Sequence, residues 1–513
     1  MRVHAFSFST RGMARRAALA LSAATPALLG TAYAASTSST ATGTLYVTAS
    51  SYAGTAETLT VGEPLPISPV VDAIDNGAYP NVFFNDTVDG NFGVGSPIEL
   101  IAAPVAYGAG GGVFTGQETR IDVTKATGIV TSFSSKSELG VHLSTDGSAL
   151  TFTGYAGAIN ELDISNANTS VCVDGTNSDV QTNTYRSVVQ YNLATGTFTA
   201  PTSTTAYSGN NMRGAILAPN VNGTGKTEYL LVGNAGNGSG TEITCLVQDT
   251  GVQIATPGMS LTTTVGVQQG TPGSSNGFQY GYSVTQNGDA ADKSGKDDNF
   301  RGIAVYNNTL YVTKGSGSNG IDTVYQVGNA GTLPDAANAA TTPVAILPGF
   351  PTTLAKSATA STQYAPFDIW FANANTLYVA DEGVQALPYT ANPHAGLEKW
   401  TYNGSTWSLA YTIQNGLSLG VPYSVAGYPT NLNPFNTGLR HLTGVVTGNS
   451  VVLYATTSTY SSAGDPGADP NAIVEVVDQL NATTLPANEA FSTVAAPFNR
   501  NVYRGVLFVP SAQ

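Results

Sequence analysis

Charged residues make up only 10% of this 513-residue chain, against roughly 25% in ordinary globular proteins. The shortage is greatest in bases: 19 Lys and Arg face 33 Asp and Glu, for a net charge of −14. So acidic a chain lacks the basic surface that phosphates require, which excludes nucleic acid as a partner. Cysteine is nearly absent. Cys172 and Cys245 form no C-x-x-C, and no His/Cys spacing suggests a zinc site. No H-E-x-x-H and no phosphate-binding P-loop occur. Beyond the N-terminus no run approaches the roughly 18 consecutive apolar residues that a membrane-spanning helix needs.

What is abundant is small, polar and β-forming. There are 57 Gly and 26 Pro without a collagen-like period, and 42% of residues are apolar, enough for a core. Short runs rich in Val, Tyr, Thr and Phe alternate with Ser, Thr, Asn and Gly, the pattern of an all-β chain with many polar turns. The N-terminus differs. Arg2, Arg11, Arg15 and Arg16 precede the Ala/Leu stretch 17–29, and small residues stand at Ala32 and Ala34. This is the layout of a secretory signal cut after Ala34. The Sec route is expected, and Arg15-Arg16 raises twin-arginine export as the alternative. Cleavage removes four Arg and no acid, taking the net charge from −14 to −18. The remaining chain, 35–513, reads as one domain, secreted or periplasmic and monomeric. In an oxidising compartment Cys172 and Cys245 would pair, with two buried thiols as the alternative.

The tetrapeptide TLYV occurs at 44–47, 309–312 and 376–379. Aligned on it, "FRGIAVYNNTLYVTKG" (300–315) lies over "FDIWFANANTLYVADEG" (367–383): strand, Asn-bearing turn, strand. A Gly-bearing loop and further strands follow, "DTVYQV" (322–327) in one case, "GLEKWTYN" (396–403) and "WSLAYTI" (407–413) in the other. Four antiparallel strands per repeat is the unit of a β-propeller blade. Weaker copies begin near 139, 212 and 442, and the least regular spans 79–102. A final blade is split: "GTLYVTAS" (43–50) lacks a first strand, and "VYRGVLFVP" (502–510) lacks a second. The expectation is a seven-bladed propeller sealed by pairing its two ends, which also hides a sheet edge.

The stretches "RGIAVYNNTLYVTKG" and "FDIWFANANTLYVADEG" resemble blades of NHL-type and SMP-30/gluconolactonase-like propellers. The resemblance implies that first strands line a central channel and that the residues just before them crowd one mouth. Those positions hold Arg213, Arg301, Asp368, Thr443 and Arg504, with Arg440 and His441 close by. Three Arg-Gly pairs in one register suit carboxylate or sulfate recognition; pairing with neighbouring acids such as Asp297 and Asp298 is the structural alternative. Loops converging there would bring Lys314, Asp381, Glu382, His394, Asp465 and Asp469. They would also bring Tyr280, Tyr282, Tyr423 and Tyr428, whose flat faces suit sugars or phenols. His142, on an inner strand, His441 and Asp368 are the candidates for moving protons. "DTVDGNFG" (86–93) and "DEG" (381–383) offer oxygen ligands for calcium, with ordinary turn chemistry as the alternative; no cofactor is specified. The resemblance also implies a divalent metal on acidic and Asn ligands, but Arg occupies several of those positions. The expected function is binding of a small anionic, sugar-like or phenolic ligand, or a surface partner. The alternative is a hydrolase or lyase acting on a carboxylated or phenolic substrate.

Overall fold

The computed structural model describes residues 41–511 apart from 178, 181–182, 237–243, 268–295 and 464–466. The proposed signal 1–34, Tyr280, Tyr282 and Asp465 lie outside the described residues. No helix among the described residues is long and apolar enough to cross a membrane.

Asn307 and Asn308 show how the strand pairs arise. Both adopt left-handed backbone, φ 47° and 53°, and Tyr306 pairs with Thr309 across them. A two-residue turn of this hand matches the natural twist of the strands it joins. Strands Ile303–Tyr306, Thr309–Lys314, Thr323–Val327 and Val344–Ile346 follow one another outward as a single blade. The next blade repeats this order with Pro366–Asn373, Thr376–Asp381, Gly396–Tyr402 and Trp407–Ile413. The blades beginning at Met212–Ala218 and Phe435–Thr447 also have four strands, and the one beginning at His142–Leu143 carries extra short strands at its rim.

The chain ends make the remaining blade. Ala41–Ser51 lies between Asn501–Pro510 and Ile98–Gly108, with Val47 opposite Val506 and Tyr46 opposite Ala102. The termini therefore do share one sheet, but the ring has six blades rather than the expected seven. The reason lies in 79–102, counted above as a blade of its own. Its only long strand, Ile98–Gly108, is the third strand of the closing blade. The part before it forms the 3-10 helix Asn81–Thr87 and a short ribbon, Gly95–Ser96 with Thr131–Ser132. Tyr52, Leu59, Phe83, Phe92 and Phe133 pack there with Val502, and each such aromatic buried contributes about 1.5–3 kcal/mol.

Ring closure also explains the Arg-Gly pairs. A Cβ on Gly302 would lie 2.5 Å from the Phe367 carbonyl oxygen, and one on Gly505 2.4 Å from that of Leu139. On Gly214 it would meet Ile303 at 2.6 Å. In each case the obstacle belongs to the next blade, so at these three seams only glycine lets the inner strands approach. The Thr that follows two of the three TLYV copies serves the same contact. Thr313 accepts from Gly302 N–H and donates to the Phe367 carbonyl, both at 2.8 Å. Thr48 accepts from Gly505 N–H (2.8 Å) and donates to the Leu139 carbonyl (2.5 Å). The repeated sequence is thus a device for joining a blade to its neighbour.

Candidate functional site

A cavity of about 460 Å³ opens at the mouth where the inner strands begin. Its described walls carry Lys136, Arg213, Lys296 and Arg301 against one carboxylate, Asp86; nearly all other lining groups are serine and asparagine. No aromatic ring lines it, among the described residues. Tyr423 and Tyr428, expected at this mouth, are instead tied down beside it. Their hydroxyls donate to the Pro470 carbonyl (2.6 Å) and Asp469 Oδ1 (2.7 Å), and their rings belong to an apolar cluster.

Each cation is held by oxygen atoms. Arg213 donates from Nε to Asn211 Oδ1 (2.7 Å) and from Nη1 to the Phe300 carbonyl (3.0 Å) and to Asn299. Arg301 donates to Ser137 and Ser316, with its guanidinium 5.3 Å from the centre of the Phe367 ring. Those partners carry no charge. The carboxylate that faces the cluster is Glu382, fully enclosed, which accepts from Lys136 Nζ at 2.9 and 3.0 Å and lies 3.6 Å from Arg440 Nε. Burial raises the Glu382 carboxyl, but Lys136, Arg301 and Arg440 together outweigh it and hold the group below its ordinary range. Burial and, next, the Arg301 charge pull Arg213 down to about 9. Burial pulls Lys136 down to about 7 although Glu382 opposes it, with Arg301 and Arg440 adding to the fall. Two carboxylates, Asp86 in the wall and Glu382 behind it, stand among Lys136, Arg213, Lys296, Arg301 and Arg440, with Glu138 and Asp322 acting on Arg213 and Arg301 from farther off; lysine is the cation able to release its proton.

The other sequence candidates fall into separate groups. His142, His441 and Asp368 meet inside the channel, and none lines the cavity. The strand register explains this meeting. Leu442 pairs with Ala455 as Ile303 pairs with Val312, so Arg440-His441 occupies the register of Arg301-Gly302. His441 thus stands in a glycine position, and its ring projects toward Gly140, whose added Cβ would lie 2.8 Å from His441 Cε1 and 3.1 Å from His142 Nε2. His441 Nδ1 is 3.3 Å from Asp368 Oδ2, which also accepts from Leu442 N–H. Asp368 likewise stands one place beyond the arginine register, because Ile369 pairs with Val379 and a bulge between Phe371 and Asn373 absorbs a residue. Arg504, almost fully buried, donates to the Phe133 carbonyl and to Ser50. Asp298 is buried just ahead of Phe300. Asp381 accepts from Ala365 and Gly383 N–H, and His394 Nδ1 lies 2.5 Å from Glu398, both outside the cavity wall. Of the two loops offered for calcium, "DEG" is consumed by these backbone and cation contacts. Lys314 is paired with Asp322 at 2.7 Å. Cys172 and Cys245 are joined by a disulfide with Cα atoms 5.7 Å apart. Closing its 73-residue separation contributes about 4 kcal/mol in the chain-entropy view.

Sequence reasoning missed Lys136, Asn211, Ser137 and Ser316. The available signal was "SSKS" (134–137), a hydroxyl-rich stretch shortly before an inner strand. It also missed Arg186, whose guanidinium donates to the carbonyls of Asn210, Ala167, Thr184 and Ser165 and so anchors two cavity-lining residues from beneath.

His142 gives a testable consequence. Burial lowers it to about 4, against the nearby Asp368 and with the help of His441. The unfolded chain takes up a proton near pH 6.5 and the folded chain does not until about pH 4, so stability falls across that window. Urea unfolding should show His142→Gln escaping a loss of about 2 kcal/mol between pH 7 and pH 4 that the wild type suffers. The partial exposure of the ring to the channel keeps this below the limit for a dry site. Parallel pH curves for the two proteins would overturn the assignment.

No family model matches the chain, and no curated protein does. Among solved structures, Kuenenia stuttgartiensis hydrazine synthase aligns at 10% identity and a TM-score of 0.31, covering 70% of this chain and 66%, just under two thirds, of that one. The Pyrococcus furiosus trilobed protease β-propeller domain, described as having an open velcro topology, aligns at 8% and 0.24, covering 79% and 95%. A Saccharomyces cerevisiae assembly of Dbp5 with Nup159, Gle1, IP6 and ADP aligns at 9% and 0.25, covering 66% and 73%.

Proposed function

We propose that this protein is an exported β-propeller that binds a small polyanion at the channel mouth. The observation that carries this reading is the cavity wall: Lys136, Arg213, Lys296 and Arg301 against Asp86, with serine hydroxyls and asparagine amides between them. Arginine forks fit carboxylate, sulfate and phosphate oxygens two at a time. The serine hydroxyls and asparagine amides between the cations suit the hydroxyls of a hydroxylated acid. The blade-level resemblance to NHL and SMP-30-like propellers is part of this reading, but with arginine where that family's metal ligands would be. A binding role is favoured over hydrolysis because His142, His441 and Asp368 stand away from the cavity wall.

The test is thermal unfolding of the purified protein with sulfate, phosphate, citrate or glucuronate, and with glucose at equal ionic strength. Saturating anion, at a hundred times its Kd, should stabilise the fold by about 2.7 kcal/mol, and glucose should not. Arg301→Gln should weaken binding at least tenfold, a charged hydrogen bond being worth about 1.5–3 kcal/mol. Because Lys136 releases its proton near pH 7, sulfate should bind more weakly at pH 8.5 than at pH 6, and Lys136→Met should flatten that dependence. Equal stabilisation by glucose, or an unchanged response in Arg301→Gln, would remove the proposal.

A further inference from the structure

The turn 86–93 and the turn 163–166 meet at the rim of the cavity and bring buried oxygen atoms together. Asp89, Asp163 and Asn166 are all 0% exposed. The Asn166 amide nitrogen faces Asp163 Oδ1 at 2.8 Å, the Gly90 carbonyl oxygen at 3.0 Å and Asp89 Oδ1 at 3.4 Å. Two amide protons are thus set against three oxygens. Asp89 Oδ2, Asp163 Oδ2 and Asn166 Oδ1 are sealed from solvent with no hydrogen-bond partner. Buried acceptors are rarely left in this condition, and carboxylates almost never.

We propose that this cluster is a calcium site, with Asp89 and Asp163 as carboxylate ligands and the Gly90 carbonyl and the Asn166 amide oxygen completing the protein's share. A half-turn of the Asn166 amide exchanges its nitrogen and oxygen and points the oxygen at the other three. Calcium takes six to eight hard oxygens, freely mixing carboxylate, amide, carbonyl and water, at about 2.3–2.6 Å. That donor mixture is consistent with the lack, among the described residues, of any group of three or more His, Cys, Asp or Glu side chains placed to hold a metal. Asp89 and Asp163 are two enclosed carboxyls set side by side, an arrangement that costs free energy while both are ionised. A divalent cation reverses that cost by letting both groups ionise.

The site would also brace the anion cavity. Asp86, Asn91 and Ser165 line that cavity and flank the proposed ligands, and Ser165 donates to the Asn91 carbonyl at 2.9 Å. The test is calorimetric titration of EDTA-treated protein with calcium chloride, magnesium chloride serving as the comparison. Saturable calcium binding is expected, at least tenfold tighter than magnesium, together with a raised thermal midpoint. Asp163→Asn should weaken calcium binding at least tenfold. Asn166→Asp adds a carboxylate, so it should tighten calcium binding while lowering the midpoint of the calcium-free protein. Arg213→Gln should leave calcium binding unchanged, which separates this site from the anion cavity. Two results would overturn the proposal. One is calcium binding untouched by either cluster variant, which places the ion elsewhere. The other is no calcium response, with Asp163→Asn raising the midpoint above pH 7, which identifies two carboxyls sharing a proton.

Discussion

Glu382→Gln should destabilise the protein by about 3–5 kcal/mol, the range for removing one partner from a buried ion pair. The side chain is almost isosteric and can still accept a hydrogen bond, so the loss isolates charge. Lys136, Arg301 and Arg440 all act on this carboxylate; without it Lys136 keeps only neutral acceptors such as Gln385, while Asp322 still acts on Arg301 and Asp469 on Arg440. Urea unfolding in chloride should show the deficit. Sulfate should then recover more of it than it adds to the wild type, because an anion in the cavity replaces the missing charge beside Lys136 and Arg301. A variant as stable as the wild type would mean that the cations are screened by water, and the electrostatic case for an anion ligand would fail with it.

The second large effect is expected at the seam between the blades beginning at Pro366–Asn373 and Phe435–Thr447, where Lys399 and Asp478, both with fully enclosed side chains, lie 2.9 Å apart. Lys399 also donates to the Gln479 carbonyl at 2.6 Å. Asp478 accepts from the Tyr411 hydroxyl at 2.5 Å and from that of Tyr378. Lys399→Met leaves a buried carboxylate with the tyrosine donors and the neighbouring Glu489 carboxyl and should cost about 3–5 kcal/mol. Pairing it with Asp478→Asn should cost less than the sum of the two single changes, because the second removes the charge that the first strands. Additive losses in such a cycle would show that the two groups act independently and do not join the blades as a pair.

These two sites differ in how far the sequence announced them. TLYV and the strand–turn–strand repeat around it announced the propeller, because two local problems recur along the chain. A two-residue turn needs left-handed backbone, which Asn307 and Asn308 supply, and a crowded axis needs a residue without Cβ, which Gly302 and Gly505 supply. Such demands are local and repeat, so they leave a legible pattern. The halves of the closing blade were legible for the same reason.

Blade number was not legible. Ile98–Gly108 alternates like any strand, and only its pairing with Ala41–Ser51 assigns it to the closing blade. Nor was the cavity, although Arg213 and Arg301 were recognisable from their register. Lys136 comes from a loop before one blade, Glu382 from the end of a strand some 250 residues later, and Asp89 meets Asp163 across a turn contact. Charge acts through space, so which cations crowd which carboxylate depended on the ring closing around them. The sequence by itself determined strands, turns and the close packing at the axis, because these depend on backbone conformation within a few residues. Only the tertiary structure decided the count of blades and the crowding of cations at the mouth, because both depend on distances between segments remote in the chain.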